Sequence, residues 1–301
     1  MHIPDGFLST PVWASLGAVS LPAVGVMARK AQAHHEHSRA PLLGVMGAFV
    51  FAAQMVNFPV AAGASSHLLG GALLACSLGP AAGVIVMTAV LAIQAFVFQD
   101  GGILALGANI FNLAIAGVLT AYIPYHFWGS GRYRRAAVFV GAVLSVLVSA
   151  GLAMSQILLS GVPVTTPLLQ LSAGLFTLAA LAEGAITVAV LSAIEKINPD
   201  WVCRPAARRN RVLTLVGAAS VAVAIASIFV ASTDPDALER IQIHIGVTPT
   251  GALLSTPFAD YRFASIVSDN AAKAVAGLVG LALVYAVCTA VGRAVAQRRS
   301  V

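Results

Sequence analysis

Met1-His2 opens the chain with three nitrogens that one ion can share: the terminal amine, the amide of residue 2 and the imidazole Nδ1 of His2. Fused chelate rings through these atoms lie in one plane and leave a fourth corner open. Planar four-nitrogen coordination suits Ni(II) or Cu(II), whereas Zn(II) usually goes tetrahedral. The chemistry requires a retained, unblocked Met1, and any extension before it would destroy the site. Met-His occurs by chance in many chains, so the remaining residues must carry the argument.

His67 is the best-placed fourth donor. It sits in Gly63-Ala64-Ser65-Ser66-His67-Leu68-Leu69-Gly70-Gly71, just after Asn57-Phe58-Pro59. Small residues let backbones approach closely, and an imidazole at the mouth of a short helix could meet an inserted N-terminus. A polar side chain at such depth is costly and is a functional candidate by default. The plainer alternative is a hydrogen-bonded histidine at a loop.

The elements that must position these residues are membrane helices. The chain has 301 residues, 59% hydrophobic and 9% charged, against roughly 25% charged in a soluble domain. Long uncharged apolar stretches make it an all-α, polytopic membrane protein in the bilayer. The opening nine residues, with Pro4, Asp5 and Gly6 and no basic start, do not read as a removable signal peptide. Cys76, Cys203 and Cys288 are too scattered for a disulfide framework or a Cys-type zinc site.

Nine apolar runs are candidate spans: 10–28, 41–57, 66–78, 81–98, 104–127, 136–160, 168–194, 212–231 and 271–292. The run 66–78 is too short to cross comfortably, and Gly79-Pro80 ends it. Residues 57–80 therefore read as a dipping loop plus a short helix, tolerated where protein or a cavity surrounds it.

Charge orients this map. With an outside N-terminus and an inside C-terminus, fourteen of the seventeen Lys and Arg residues fall in the cytoplasm, leaving Arg240, Arg262 and Lys273 outside. The net charge of +6 is thus a topology signal and does not suggest nucleic-acid binding. The same topology puts His2, His67 and His244 at the outer side, and His34, His35, His37 and His126 at the inner side.

Five blocks occur in the order and separations of a known family. They are Met1-His2-Ile3-Pro4-Asp5-Gly6-Phe7-Leu8-Ser9, Met55-Val56-Asn57-Phe58-Pro59, His67-Leu68-Leu69-Gly70-Gly71, Gln99-Asp100-Gly101-Gly102 and Gly107-Ala108-Asn109-Ile110-Phe111-Asn112. Over residues 1–195 the chain resembles the substrate-capture (S) components of nickel/cobalt energy-coupling-factor ABC transporters. That resemblance implies a seven-helix core with two additional C-terminal helices. It also implies metal ligands at Met1, His2 and His67. It implies a coupling membrane subunit (T component) and ATPase subunits as separate chains, in a bacterial inner membrane. The segment Ala64-Ser65-Ser66 departs from the Thr-Ser-Gly type common in relatives, which leaves any role of Ser66 behind the histidine open. The opening Ile3-Pro4-Asp5-Gly6 looks more like the nickel branch; Co(II), linked to cobalamin, is the alternative substrate.

The tail carries a second resemblance. Asp234-Pro235-Asp236-Ala237-Leu238-Glu239-Arg240 and Thr256-Pro257-Phe258-Ala259-Asp260-Tyr261 are similar to the Pro-Asp-Gly-Leu-Glu (PDGLE) auxiliary (N) component, with Ala237 in place of the usual Gly. The division is then a metal-capture domain at 1–195, a basic cytoplasmic linker at 196–211 and a two-span auxiliary domain at 212–301 with an outside loop at 232–270. Its acids Asp234, Asp236, Glu239, Asp260 and Asp269 could concentrate cations; capping of helix ends is the plainer role for each.

Weaker signals remain. His34-His35-Glu36-His37 could catch a released ion, or be a solvated loop. Glu183, the one acid in mid-span, could touch a partner, serve a proton path or make a helix–helix hydrogen bond. Asn109 and Asn112 line or brace the centre, and Gly174, Gly184 and Ala185 suit close packing in lipid. No Gly-x-x-x-x-Gly-Lys-Ser/Thr loop occurs, so ATP hydrolysis by that route belongs to other chains. A stand-alone secondary transporter would want more ionisable groups inside the membrane than Glu183. A hydrolase built on Ser65 or Ser66 with His67 lacks an orienting acid and a nucleophile elbow, so no enzyme is expected.

Overall fold

A computed structural model describes residues 1–34, 40–61, 64–197, 235–246, 253–254 and 256–297. The His35–His37 part of the histidine cluster, most of the linker, the candidate span 212–231 and Asp234 lie outside them, as does the His34 side chain. Six of the described helices are long and apolar enough to cross a membrane. They include α1 (Thr10–His34), which follows the irregular opening; a shorter apolar helix, α2 (Ala40–Gln54), comes next.

Residues 57–61 and 64–67, read as part of a dipping loop, pair as two antiparallel strands: β1 (Asn57–Ala61) and β2 (Ala64–His67). Asn57 stands opposite His67 and Pro59 opposite Ser65. Proline is tolerated because a two-stranded sheet has only edges. Pairing carries the chain back to the foot of α2 and leaves His67 there.

The short helix is α3 (Gly71–Leu78). Its eight residues rise about 12 Å, well under the ~30 Å of a hydrocarbon core. Gly79 ends it with φ 83° and ψ 163°, and Pro80 opens α4 (Pro80–Ile93) at the position where its missing N–H costs nothing. From α4 the chain widens into a π-helical turn (Gln94–Phe98) that stops at Gln99, φ 57°. Because His67 and Asp100 both lie beside the N-terminus, α3 and α4 leave one end of the bundle and return to it.

Next come α5 (Leu106–Asn109), a π-helical stretch (Ile110–Gly117) and α6 (Val118–Trp128), which run on as one span. Two long helices follow, α7 (Arg134–Leu159) and α8 (Thr166–Ile197). Gly184 lets α8 close on α7, since an added Cβ would lie 2.7 Å from Phe139; Gly174 has open space around it and supports no such contact.

The described tail holds α9 (Ala237–Ile245), a 3-10 turn (Ala259–Tyr261) and α10 (Asp269–Gln297). Helix α10 lies along α2, where Gly47 meets Cys288 closely enough that a Cβ would stand 2.8 Å from its sulfur. Small residues at a helix crossing are how apolar helices gain contact in lipid. Helix α9 is amphipathic, burying Ala237, Leu238 and Ile241 with Ile3, Phe7 and Leu8. That packing brings the tail to the N-terminus.

Candidate metal centre

The first five residues are threaded into the bundle and fixed at three points. Ile3 is fully buried; its amide donates to Asn109 Oδ1 (2.9 Å), and its carbonyl accepts from Asn109 Nδ2 (3.0 Å) and from the Gly102 amide (2.9 Å). Asp5 accepts from the amides of Ile103, Leu104 and Ala105, at 2.9, 2.9 and 3.2 Å. These amides enter α5, where helical bonding leaves donors without partners. Gly102 makes the clasp possible, because a Cβ there would fall 2.2 Å from Asp5 Oδ1.

The three expected residues are brought together. The Met1 amine lies 2.7 Å from His67 Nε2. The rings of His2 and His67 stack with centroids 5.5 Å apart and 29° between planes. A His67 tautomer with hydrogen on Nδ1 satisfies both its contacts: Nδ1 donates to the Leu68 carbonyl (3.2 Å) and Nε2 accepts from Met1.

Two carboxylates hold the remaining valences. Asp236 Oδ2 is 2.7 Å from the Met1 amine, and Asp100 Oδ1 is 2.8 Å from His2 Nδ1. Tyr261 donates to the other oxygen of Asp100 at 2.6 Å. Nδ1 of His2 is therefore engaged, while its Nε2 is buried with no hydrogen-bond partner among the described residues. Chelation through Nδ1 demands that the Asp100 contact open.

Asp236 is positioned twice over. It caps α9, accepting from the amides of Leu238 (2.8 Å) and Glu239 (2.9 Å), while the Asp236 amide donates to the Glu239 carboxylate (2.8 Å). The Ser65 amide also bonds the Pro235 carbonyl (3.2 Å), tying this turn to β2. Asp236 thus fills the plainer role weighed for it, capping, and the same side chain also stands beside the Met1 amine. Tyr261 is held by stacking on Phe98 (4.8 Å between centroids) in a left-handed backbone conformation, φ 55°.

Electrostatics follow from this enclosure. Burial, then the Met1 ammonium, then His2, hold the His67 imidazole down to about 3, so it is neutral at neutral pH. Burial is the largest single effect and pushes Asp100 and Asp236 up, but it is outweighed by His2, Tyr261 and the Met1 ammonium together for Asp100, and by the Met1 ammonium, the Glu239 amide and His67 together for Asp236. Asp100 ends well below the usual carboxylate range and Asp236 at about 2. Burial, then the Asp100 charge, raise Tyr261. A cavity of about 400 Å³ opens onto Met1, His2 and His67 and is lined also by Glu239, Asp260 and Lys273. No group of three or more His, Cys, Asp or Glu side chains suits a metal among the described residues. An ion held here would depend on main-chain nitrogen as well as imidazole.

The other sequence candidates lie elsewhere. His126 is in the last turn of α6, and His244 bonds the Arg240 carbonyl on the exposed side of α9. Asn109 braces Ile3, whereas Asn112 pairs with Gln156 through two hydrogen bonds. Asp269 is tied to Arg262 and Lys273. The roles of Asp5 and Asp100 were missed. Their signal was present, since each acid sits beside glycine in a motif block.

Helices of this length around an inserted N-terminus define a multi-pass membrane protein. The family profile for the cobalt uptake substrate-specific transmembrane region, CbiM, matches residues 2–201. The chain belongs to this family, which makes it a membrane component of metal uptake and not an enzyme. It is 34% identical over 303 residues to a candidate fused nickel transport protein, NikMN, of Archaeoglobus fulgidus, covering 97% of this chain and 98% of that one. It is 36% identical over 207 residues to the cobalt transport protein CbiM of Thermosediminibacter oceani, covering 65% and 84%. A crystal structure of a truncated transition metal transporter matches with a TM-score of 0.52 and 29% identity, covering 65% of this chain and 99% of that one.

Proposed function

We propose that this chain is the nickel-capturing subunit of an energy-coupling-factor transporter. The Met1 amine, the amide and imidazole of His2, and the His67 imidazole hold Ni(II) in a plane at the outer face of an inner membrane. The observation that carries the reading is the 2.7 Å approach of the Met1 amine to His67 Nε2, with the His2 ring stacked beside it. Main-chain nitrogen with imidazole is a strong-field set that favours planar Ni(II).

Acids around the cavity support the capture role, because they raise the local concentration of cations. The near full-length match to a fused NikMN supports the division into a capture domain (1–195), linker (196–211) and auxiliary domain (212–301). The chain has no phosphate loop, so the work of release falls to separate ATPase and coupling subunits. Cobalt uptake is the second reading, favoured by the match to CbiM.

Nickel and cobalt titrations of purified protein test both. A yellow, diamagnetic Ni(II) complex lost in His2→Ala, His67→Ala and a version extended by one residue before Met1 is expected. Preference for cobalt would select the second reading. Full binding by the extended version would overturn the amine as a ligand.

A further inference from the structure

Glu183 lies in the middle of α8 with 2% of its surface exposed. Its Oε2 accepts from the Leu69 amide (2.8 Å) and its Oε1 from the Gly70 amide (2.9 Å). Sequence alone left it as a partner contact, a proton path or a helix–helix bond; it meets main chain instead. Gly70 has φ 76° and no side chain to cap α3, and a Cβ there would stand 2.6 Å from Val50. A buried amide left without an acceptor keeps its full desolvation penalty, so the start of α3 needs an acceptor from outside the helix.

Leu69 is gripped from the other side as well. Gln54 of α2 donates to the Leu69 carbonyl (2.8 Å), and Gln94 of the π turn donates to Gln54 Oε1 (2.8 Å). Leu69 is thus held at both its N–H and its C=O, two residues after His67.

We propose that Glu183 is a positioning residue for His67. By fixing the Leu69–Gly70 main chain it sets where the imidazole stands relative to the Met1 amine. A carboxylate accepts at both oxygens, whereas an amide turns a donor toward one of the two N–H groups. Glutamine therefore keeps the shape and volume but breaks the grip. The proposal rests on His67 being a ligand.

The full-length purified protein is titrated with nickel as wild type, Glu183→Gln, His67→Ala and Gln156→Leu. The last breaks the Asn112–Gln156 pair, which touches neither Leu69 nor Gly70. Dissociation constant, optical spectrum and metal-free melting temperature are read together. Glu183→Gln should weaken nickel about 10–100-fold, as loss of a group orienting a ligand does, and shift the visible band. Gln156→Leu should lower the melting temperature yet keep the band and stay within about twofold of wild-type affinity. If Glu183→Gln fails to fold, Glu183→Asp, with the acid withdrawn on a shorter stem, carries the same test. Wild-type affinity and spectrum in a folded Glu183 variant, with binding lost in His67→Ala, overturn the positioning role alone. Wild-type binding by His67→Ala overturns the ligand reading and the proposal with it.

Discussion

The amine of Met1 stands 2.7 Å from His67 Nε2, although the two residues are 66 positions apart. Only a deep insertion of the N-terminus makes this contact, and Ile3 and Asp5 supply the anchors. On the proposal that His67 is the fourth donor, removing it should cost more than the ~10–100-fold typical of groups behind the ligands. Nickel titration of His67→Ala, followed by its visible spectrum, checks this; tight planar binding without His67 would move the fourth donor elsewhere.

Asp236 joins two tasks that substitution can separate. Asparagine remains a good helix cap but abandons the charge opposite Met1, while alanine loses both. Asp236→Asn should destabilise by about 3 kcal/mol, the low end for a broken buried pair because a cavity adjoins it. Asp236→Ala should add ~1 kcal/mol for the cap. Chemical denaturation in detergent gives the comparison; equal losses would mean the cap contributes nothing.

Acid should act in two stages. A neutral imidazole is preferred in the folded protein, with its value held to about 3 against 6.5 when free. Its contribution to stability is complete above pH 6.5 and is lost as pH falls from 6.5 toward about 3. For Asp236 the contribution is complete above 3.8 and is lost as pH falls toward about 2. Melting temperature of metal-free protein against pH should decline from 6.5 downward, and His67→Ala should flatten the upper part of that decline.

Gly102 tests the clasp beneath the site. Gly102→Ala drives a methyl into Asp5 and should cost about 1–3 kcal/mol as overpacking does. Gly174→Ala, with open space around it, should stay within about 0.5 kcal/mol. Thermal melts of both settle the contrast, and nickel affinity should fall only in the first.

The membrane class and the helix stop at Gly79-Pro80 were legible in the sequence. Each depends on residue type or near neighbours: apolar length, and a proline that starts a helix. The strand pair at 57–61 and 64–67 was not, because its small residues show no clear alternation and its pairing is a property of two segments. What surrounds Met1, His2 and His67 was decided by tertiary structure alone. Asp100 meets His2 across 98 positions, Glu183 meets Leu69 across 114, and Asp236 meets Met1 across 235. Such contacts, several of them between a side chain and a main-chain group, leave no periodic trace along the chain. They exist because apolar helices pack first and carry these polar groups to buried places where each must find a partner.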